Sequence, residues 1–202
     1  MNPYIFATNN RHKLEEVRQI LNGIVDIISL SEAGLSGEIP ETSDTLQGNA
    51  FQKAEWVWRR THCCCFADDT GLEVTALGGA PGVYSARYAG DGCTFDDNID
   101  KLLTAMVSIT DRRADFRTVV CLLQPECPGS ETAVAHYFEG RIDGEILTER
   151  HGTEGFGYDP IFKPDRFALS FAEMPMEVKN QISHRGRAIA SLCQYLDTHE
   201  SR

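Results

Sequence analysis

Four short stretches of the chain carry side chains suited to chemistry on a charged ligand. In the first, Thr8, Asn9, Asn10, Arg11, His12 and Lys13 follow an apolar run and open a helical pattern. A strand that feeds a helix through a tight polar loop aims free backbone N–H groups at one point, and the helix dipole adds partial positive charge there. Lys13 reaches a phosphate from the first turn, although the Gly-rich Walker spacing is absent. The same residues would also serve as a plain capped helix with Arg11 and Lys13 in solvent. The second stretch is Asp68-Asp69-Thr70-Gly71 at the end of an apolar strand. Adjacent carboxylates are costly to bury unless a cation or a proton joins them. Such a pair suits Mg²⁺, which takes oxygen ligands and keeps waters that can be activated. Glu41 and Glu73 are further oxygen sources, and a strand-end turn rich in Asp and Gly is the plain alternative.

The third stretch is Gly155-Phe156-Gly157-Tyr158-Asp159-Pro160. Its glycines expose backbone and let Phe156 lie flat against a base, while Asp159 can accept from a ring N–H or orient a neighbour. A loop anchored by aromatic side chains would look the same. The fourth is Lys179 with Ser183-His184-Arg185. Ser183 is a good helix N-cap. The two cations after it then oppose the helix dipole, which a bound anion or a carbonyl-rich ligand would offset; a solvated basic turn is the alternative. Together the four supply basic anchors, a carboxylate pair, a stacking ring and base-edge donors, the parts of a Mg²⁺–nucleoside triphosphate site.

The elements that must position them are mixed. Tyr4 to Ala7 reads as a strand, and Leu14, Val17, Ile20 and Leu21 recur at helical spacing before the stop Asn22-Gly23. Ile24 to Leu30 predicts a second strand, Asp44 the start of a second helix, and Cys64 to Ala67 a short strand that ends in the acidic pair. Ile99, Leu102, Leu103 and Met106 mark a third helix. Phe116 to Leu123 and Thr132 to Glu139 predict a strand pair across a Pro/Gly turn, and a last helix begins near Ser183. The fold class is α/β, and no repeat or low-complexity linker divides the chain.

The 202 residues suit one domain or two closely joined lobes. Thirty acidic residues against 19 Lys and Arg give a formal net charge of −11, which argues against a nucleic-acid or membrane-surface partner but leaves room for a small polyanion. No basic, apolar and small-residue leader pattern opens the sequence, and no apolar run approaches a membrane span. The seven cysteines, three of them consecutive at Cys63, Cys64 and Cys65, contain no CxxC pair. The expectation is idle or buried thiols in a reducing cytoplasm, with no disulfide framework or zinc site.

Taken in order, TNNRHK from Thr8, Glu41-Thr42, Asn49-Ala50, Lys53-Ala54, Asp68-Asp69-Thr70-Gly71-Leu72, LGGAPGVYSARYAG from Leu77, GFGYDPIF from Gly155, Ala172-Glu173-Met174, Lys179 and SHRGRA from Ser183 resemble the inosine/xanthosine triphosphate pyrophosphatases, the Ham1-like family. The resemblance covers nearly the whole chain. It implies a single pyrophosphatase domain with an elongated mixed sheet, flanking helices and two lobes around a central nucleotide-binding cleft, usually in a homodimer. It also implies hydrolysis of XTP, ITP and dITP to the monophosphate and pyrophosphate, with Mg²⁺. By the same resemblance Asp69 is the catalytic acid–base residue and a metal ligand and Glu41 a second metal ligand, while the acidic-pair reading adds Asp68 as a further one. The loop from Thr8 to Lys13 and Lys53 contact phosphates, Thr70 contacts substrate, and Phe156, Gly157, Tyr158, Asp159, Lys179, His184 and Arg185 contact the base. Two residues depart from the pattern. Thr70 stands for Ser and keeps the hydroxyl. Gly48 stands where bacterial members carry Glu, which removes a carboxylate from the second helix and costs about 1 kcal/mol of helix propensity against Ala. A Maf-like nucleotide pyrophosphatase and a non-catalytic nucleotide sensor are the rival readings.

Overall fold

The computed structural model describes residues 3–200. Its strands and helices run, in chain order, β1 (Tyr4–Phe6), α1 (Arg11–Leu21), β2 (Ile27–Ile28), α2 (Leu46–Thr61), β3 (Cys65–Val74), β4 (Pro81–Gly82), α3 (Phe95–Ala105), β5 (Arg113–Pro125), β6 (Ala133–Ile146), β7 (Phe162–Pro164), α4 (Met176–Ile182) and α5 (His184–Glu200). The strands form one mixed sheet in the order β2-β1-β3-β5-β6-β7, with β4 paired to β3. The chain divides into two compact units. The first takes the residues up to Asp69, Thr118–Gly140 and the chain from Gly186; the second takes Thr70–Arg117 and Arg141–Arg185.

In the first unit, β1 pairs in parallel with β2 on one side and with β3 on the other. The chain therefore leaves β1 in opposite directions for its next two strands. In open α/β sheets such a switch point opens a crevice at the carboxyl ends of the strands. Thr8 to Lys13 follow β1 there, and the acidic pair of β3 lies beyond the register Phe6↔Phe66 at the same end. Side chains on these strands alternate with the two-residue period of a strand. Tyr4, Phe6, Phe66, Val120 and Leu122 pack with Val17 and Leu21 of α1 and Leu192 and Leu196 of α5. Ile5, Ala7, Cys65, Ala67, Cys121 and Leu123 pack with Ala50, Ala54, Val57 and Trp58 of α2. Two adjacent residues of β3 thus look to two different helix layers.

The second unit has its own core, built from Leu72, Val74, Ile99, Leu102, Met106, Phe116, Ile146, Phe162 and Phe171. β3 does not stop at the acidic pair, as the sequence predicts. It runs on to Val74 because Leu72 and Val74 are fully buried here and Leu72 pairs with Gly82 of β4. The predicted strand from Ile24 to Leu30 shrinks to Ile27–Ile28. The Glu32 carboxylate accepts from the Ser29 N–H at 2.6 Å and from its hydroxyl at 2.7 Å, which curls the chain into a turn directly after β2. The second helix starts at Leu46, two residues beyond the expected Asp44, because the Thr45 hydroxyl is its N-cap and accepts from the Gly48 N–H. The short helix α4 has no counterpart in the sequence reading. Among the described residues no helix is long and apolar enough to cross a membrane.

Candidate active site

The phosphate-loop stretch folds as its residue types dictate. Asn10 is the N-cap of α1 and accepts from the Lys13 N–H at 3.2 Å, while the Thr8 hydroxyl accepts from the Asn10 N–H at 3.1 Å. Thr8 and Asn10 thereby fix the loop, and Arg11, His12 and Lys13 occupy the first turn, where N–H groups point outward. Asn9, Arg11 and His12 are exposed. Lys13 instead turns inward, with Nζ 3.0 Å from Asp68 Oδ1.

The strand alternation separates the acidic pair. Asp68 lies on the α1 face and meets Lys13, whereas Asp69 lies on the α2 face. There Asp69 Oδ1 is 2.8 Å from Lys53 Nζ, and Asp69 Oδ2 accepts from Asn49 Nδ2 at 3.1 Å. Lys53 Nζ also reaches Glu41 Oε1 at 2.5 Å. The lysine is 5% exposed. Burial alone would lower its pKa, but the charges of Asp69, Glu41 and Asp68 outweigh that and hold the ammonium above the usual lysine value. Glu41 and Asp69 therefore converge on one cation, while Asp68 approaches a different one.

That geometry bears on the metal. Among the described residues no three His, Cys, Asp or Glu side chains form a metal cage. Mg²⁺ does not need one: it commonly binds through one or two carboxylates together with substrate phosphates and water. Glu41 and Asp69, two hard oxygen donors already gathered around one positive charge, fit that requirement.

The second unit assembles the remaining residues. Asp159 Oδ2 accepts from the Phe156 N–H at 2.8 Å and lies 2.7 Å from Lys179 Nζ, with both charged side chains 5% exposed. Gly155 is obligatory beside this carboxylate: its φ is +76°, and a Cβ there would stand 2.1 Å from Asp159 Oδ2. The Tyr158 hydroxyl donates to the Ser85 carbonyl at 2.9 Å, so the ring anchors the loop. The half-buried Phe156 ring has Lys179 Nζ at 5.1 Å and Arg185 Cζ at 5.5 Å from its centroid, both within cation–π range. Arg185 Nη2 donates to the Thr70 hydroxyl at 3.3 Å. His184 is buried and stacks on Phe116 at 4.5 Å and 17°. As the sequence indicates, His184 and Arg185 open a helix, against its dipole.

Every predicted site residue thus falls into one of two sets. The first unit gathers Thr8 to Lys13, Glu41, Lys53, Asp68 and Asp69; the second gathers Thr70, Phe156 to Asp159, Lys179, His184 and Arg185. Sequence reasoning gave no role to Asn49, Phe116 or Phe95, whose ring lies 6.0 Å from Phe156. Asn49 did carry a signal, since it stands four residues before Lys53 and so shares its helix face. Nothing in the sequence sets the two phenylalanines apart from core residues.

The Ham1 family matches residues 4–195. The dITP/XTP pyrophosphatase of Porphyromonas gingivalis is 54% identical over 197 residues, covering 97% of this chain and 98% of that protein. The dITP/XTP pyrophosphatase of Flavobacterium johnsoniae is 47% identical over 192 residues, covering 95% and 96%. Among solved structures, the Ham1 protein of Staphylococcus aureus superposes with a TM-score of 0.85 at 37% identity, over 98% of this chain and 99% of that one. A HAM1 protein from Coxiella burnetii gives 0.87 at 36% identity, over 98% and 100%.

Proposed function

The chain belongs to the Ham1 family, and on that premise we propose that it hydrolyses the non-canonical purine nucleotides XTP, ITP and dITP to the monophosphate and pyrophosphate. The observation that carries the reading is the Asp69 carboxylate, buried at the switch-point end of the sheet with Lys53 and Asn49 on its two oxygens.

In this reading the first unit handles the triphosphate. The N–H groups at the start of α1 and the ammonium groups of Lys13 and Lys53 bind phosphate oxygens, and Asp68 and Asp69 hold those lysines in place. Asp69 takes the proton from a water as the water's oxygen bonds to the α-phosphorus. The bond from that phosphorus to the bridging oxygen breaks, and pyrophosphate leaves with the electron pair. Mg²⁺ held by Glu41 and Asp69 would supply charge neutralisation on the phosphates and a more acidic bound water.

The second unit handles the base. Phe156 offers a stacking face, and Arg185, His184 and Lys179 donate to a 6-oxo group, where adenine carries an amine that cannot accept. Asp159 accepts from a ring N–H. One domain acting as a cytoplasmic homodimer on free nucleotides, without nucleic-acid or membrane partners, completes the proposal; the acidic sequence supports the last part.

A panel of nucleoside triphosphates with Mg²⁺, followed for pyrophosphate and for phosphate release, tests it. Pyrophosphate from ITP, XTP and dITP is expected, with little from ATP. Preference for pyrimidine nucleotides would favour a Maf-like activity, and binding without turnover a sensor. Asp69→Asn should abolish most turnover, and a near-normal rate would remove Asp69 from the chemistry. Light scattering across a concentration series checks the dimer.

A further inference from the structure

We infer that Asn49 is the positioning residue that sets the plane of the Asp69 carboxylate, and that with serine at position 43 this bridge requires glycine at position 48. The inference rests on the reading of Asp69 given above. Asn49 is 1% exposed, in the first turn of α2. Its amide bridges two partners: Oδ1 accepts from the Ser43 backbone N–H at 2.9 Å, and Nδ2 donates to Asp69 Oδ2 at 3.1 Å. A backbone N–H can only donate, so the atom facing Ser43 must be the oxygen, and the NH₂ is obliged to face the carboxylate. With Lys53 on Oδ1, Asp69 then has a fixed donor on each oxygen, which leaves its plane no free rotation. Lys53 alone would hold one oxygen and let the other swing.

The bridge depends on how closely the segment before α2 lies against the helix. A Cβ on residue 48 would stand 2.0 Å from Ser43 Oγ, 2.7 Å from Ser43 Cβ and 3.0 Å from Thr45 Oγ1. Turning the Ser43 hydroxyl away would not relieve the second contact, so the Ser43 main chain would have to move, and its N–H with it. Gly48 therefore does more than omit a carboxylate. It admits Ser43 to the place from which Ser43 fixes Asn49, and Asn49 fixes Asp69. General-base attack by a positioned water needs the carboxylate oriented to within a few tenths of an ångström, so loss of the bridge should act on turnover more than on substrate binding.

The experiment combines kinetics on ITP with crystal structures of the same variants without metal or nucleotide. Asn49→Leu keeps much of the volume but can neither accept from Ser43 nor donate to Asp69; Asn49→Ala removes the side chain beyond Cβ and with it both contacts. Each should lower kcat by about tenfold or more with KM changed less than about threefold, and each structure should show the Asp69 carboxylate turned about its Cβ–Cγ bond. Gly48→Ala should lower kcat in the same way, and the double variant Ser43→Gly/Gly48→Ala, which deletes both clashing atoms, should recover most of it. Folded Asn49 variants with normal kcat, or with Asp69 in its original plane, would overturn the inference, as would a loss in Gly48→Ala that Ser43→Gly does not repair. If Gly48→Ala fails to fold, the two Asn49 variants decide. A wild-type protein that turns over no 6-oxo purine nucleotide would instead sink the proposed function, and the carboxylate plane in the variant structures would still test Asn49.

Discussion

Lys179 Nζ lies 2.7 Å from Asp159 Oδ2, with both side chains 5% exposed, and the same oxygen accepts the Phe156 N–H at 2.8 Å. One carboxylate thus fixes both a cation for the base edge and the backbone of the ring that would stack on the base. A buried pair of this kind adds little net stability, but breaking it is costly because the remaining buried charge loses its counter-charge. Asp159→Asn should destabilise the fold by about 3–5 kcal/mol. Adding Lys179→Met should restore much of that loss while activity stays low. Urea unfolding of the two single variants and the double variant measures it; additive losses would show that the two residues do not depend on one another.

Phe156 should act on binding and leave the chemistry alone. Its half-buried ring is held by Phe95 at 6.0 Å and flanked by Lys179 and Arg185. Stacking of a base on an aromatic ring is worth about 1–3 kcal/mol, so Phe156→Ala should raise KM for ITP by about 5- to 150-fold with kcat within about threefold. Arg185→Ala should also raise KM, and more for ITP than for ATP, since only the 6-oxo base accepts from it. An equal effect on both nucleotides would take Arg185 away from base discrimination.

How much of this could be read from residues alone differs between the two units. Around β1 and α1 the sequence is explicit: an apolar triplet, a capping Asn and an amphipathic helix place Lys13 without outside help. The acidic pair was legible as chemistry but not as geometry. Asp68 and Asp69 read as partners, yet strand alternation, visible only once β3 extends past them, sends each to its own lysine. Lys179 stands out as a basic residue, but its helix α4 does not, because seven residues give little periodicity and its stability comes from tertiary packing. Asn49 lay in plain view within a recognised motif. Its role needs the position of Ser43, which depends on Gly48, and no local pattern encodes that approach.

The cysteines should sort by burial. Cys63 is exposed and Cys65, two residues on, is fully buried. Burial pushes the Cys65 thiol well above the usual range and lifts Cys121, beside it in the α2 layer, to about 12. Thiolate is the reactive form, so at pH 8 neither should react while the protein is folded. A disulfide-exchange reagent followed by peptide mapping should label Cys63 and Cys127 first, and Cys65 and Cys121 only in denaturant. Early labelling of Cys65 would mean that the α2 layer opens in the native state.

Acid stability should carry a contribution from Glu32. Its carboxylate accepts from the Ser29 N–H and hydroxyl and pairs with Arg18, which together hold its pKa at about 2 against an ordinary 4.5, with the Ser29 backbone donor the largest cause. The folded value lies below the unfolded one. The folded state therefore gains from ionisation above pH 4.5, and that gain is lost as pH falls through the window toward 2. Glu32→Gln should unfold at a lower urea concentration than wild type at pH 7, since the amide offers Ser29 a weaker, uncharged acceptor. The gap between the two midpoints should narrow steadily below pH 4.5, because only wild type has the Glu32 carboxylate to lose there. Circular dichroism across that range decides the matter: a gap that stays constant down to pH 2 would mean that Glu32 stabilises the turn after β2 by its shape and not by its charge.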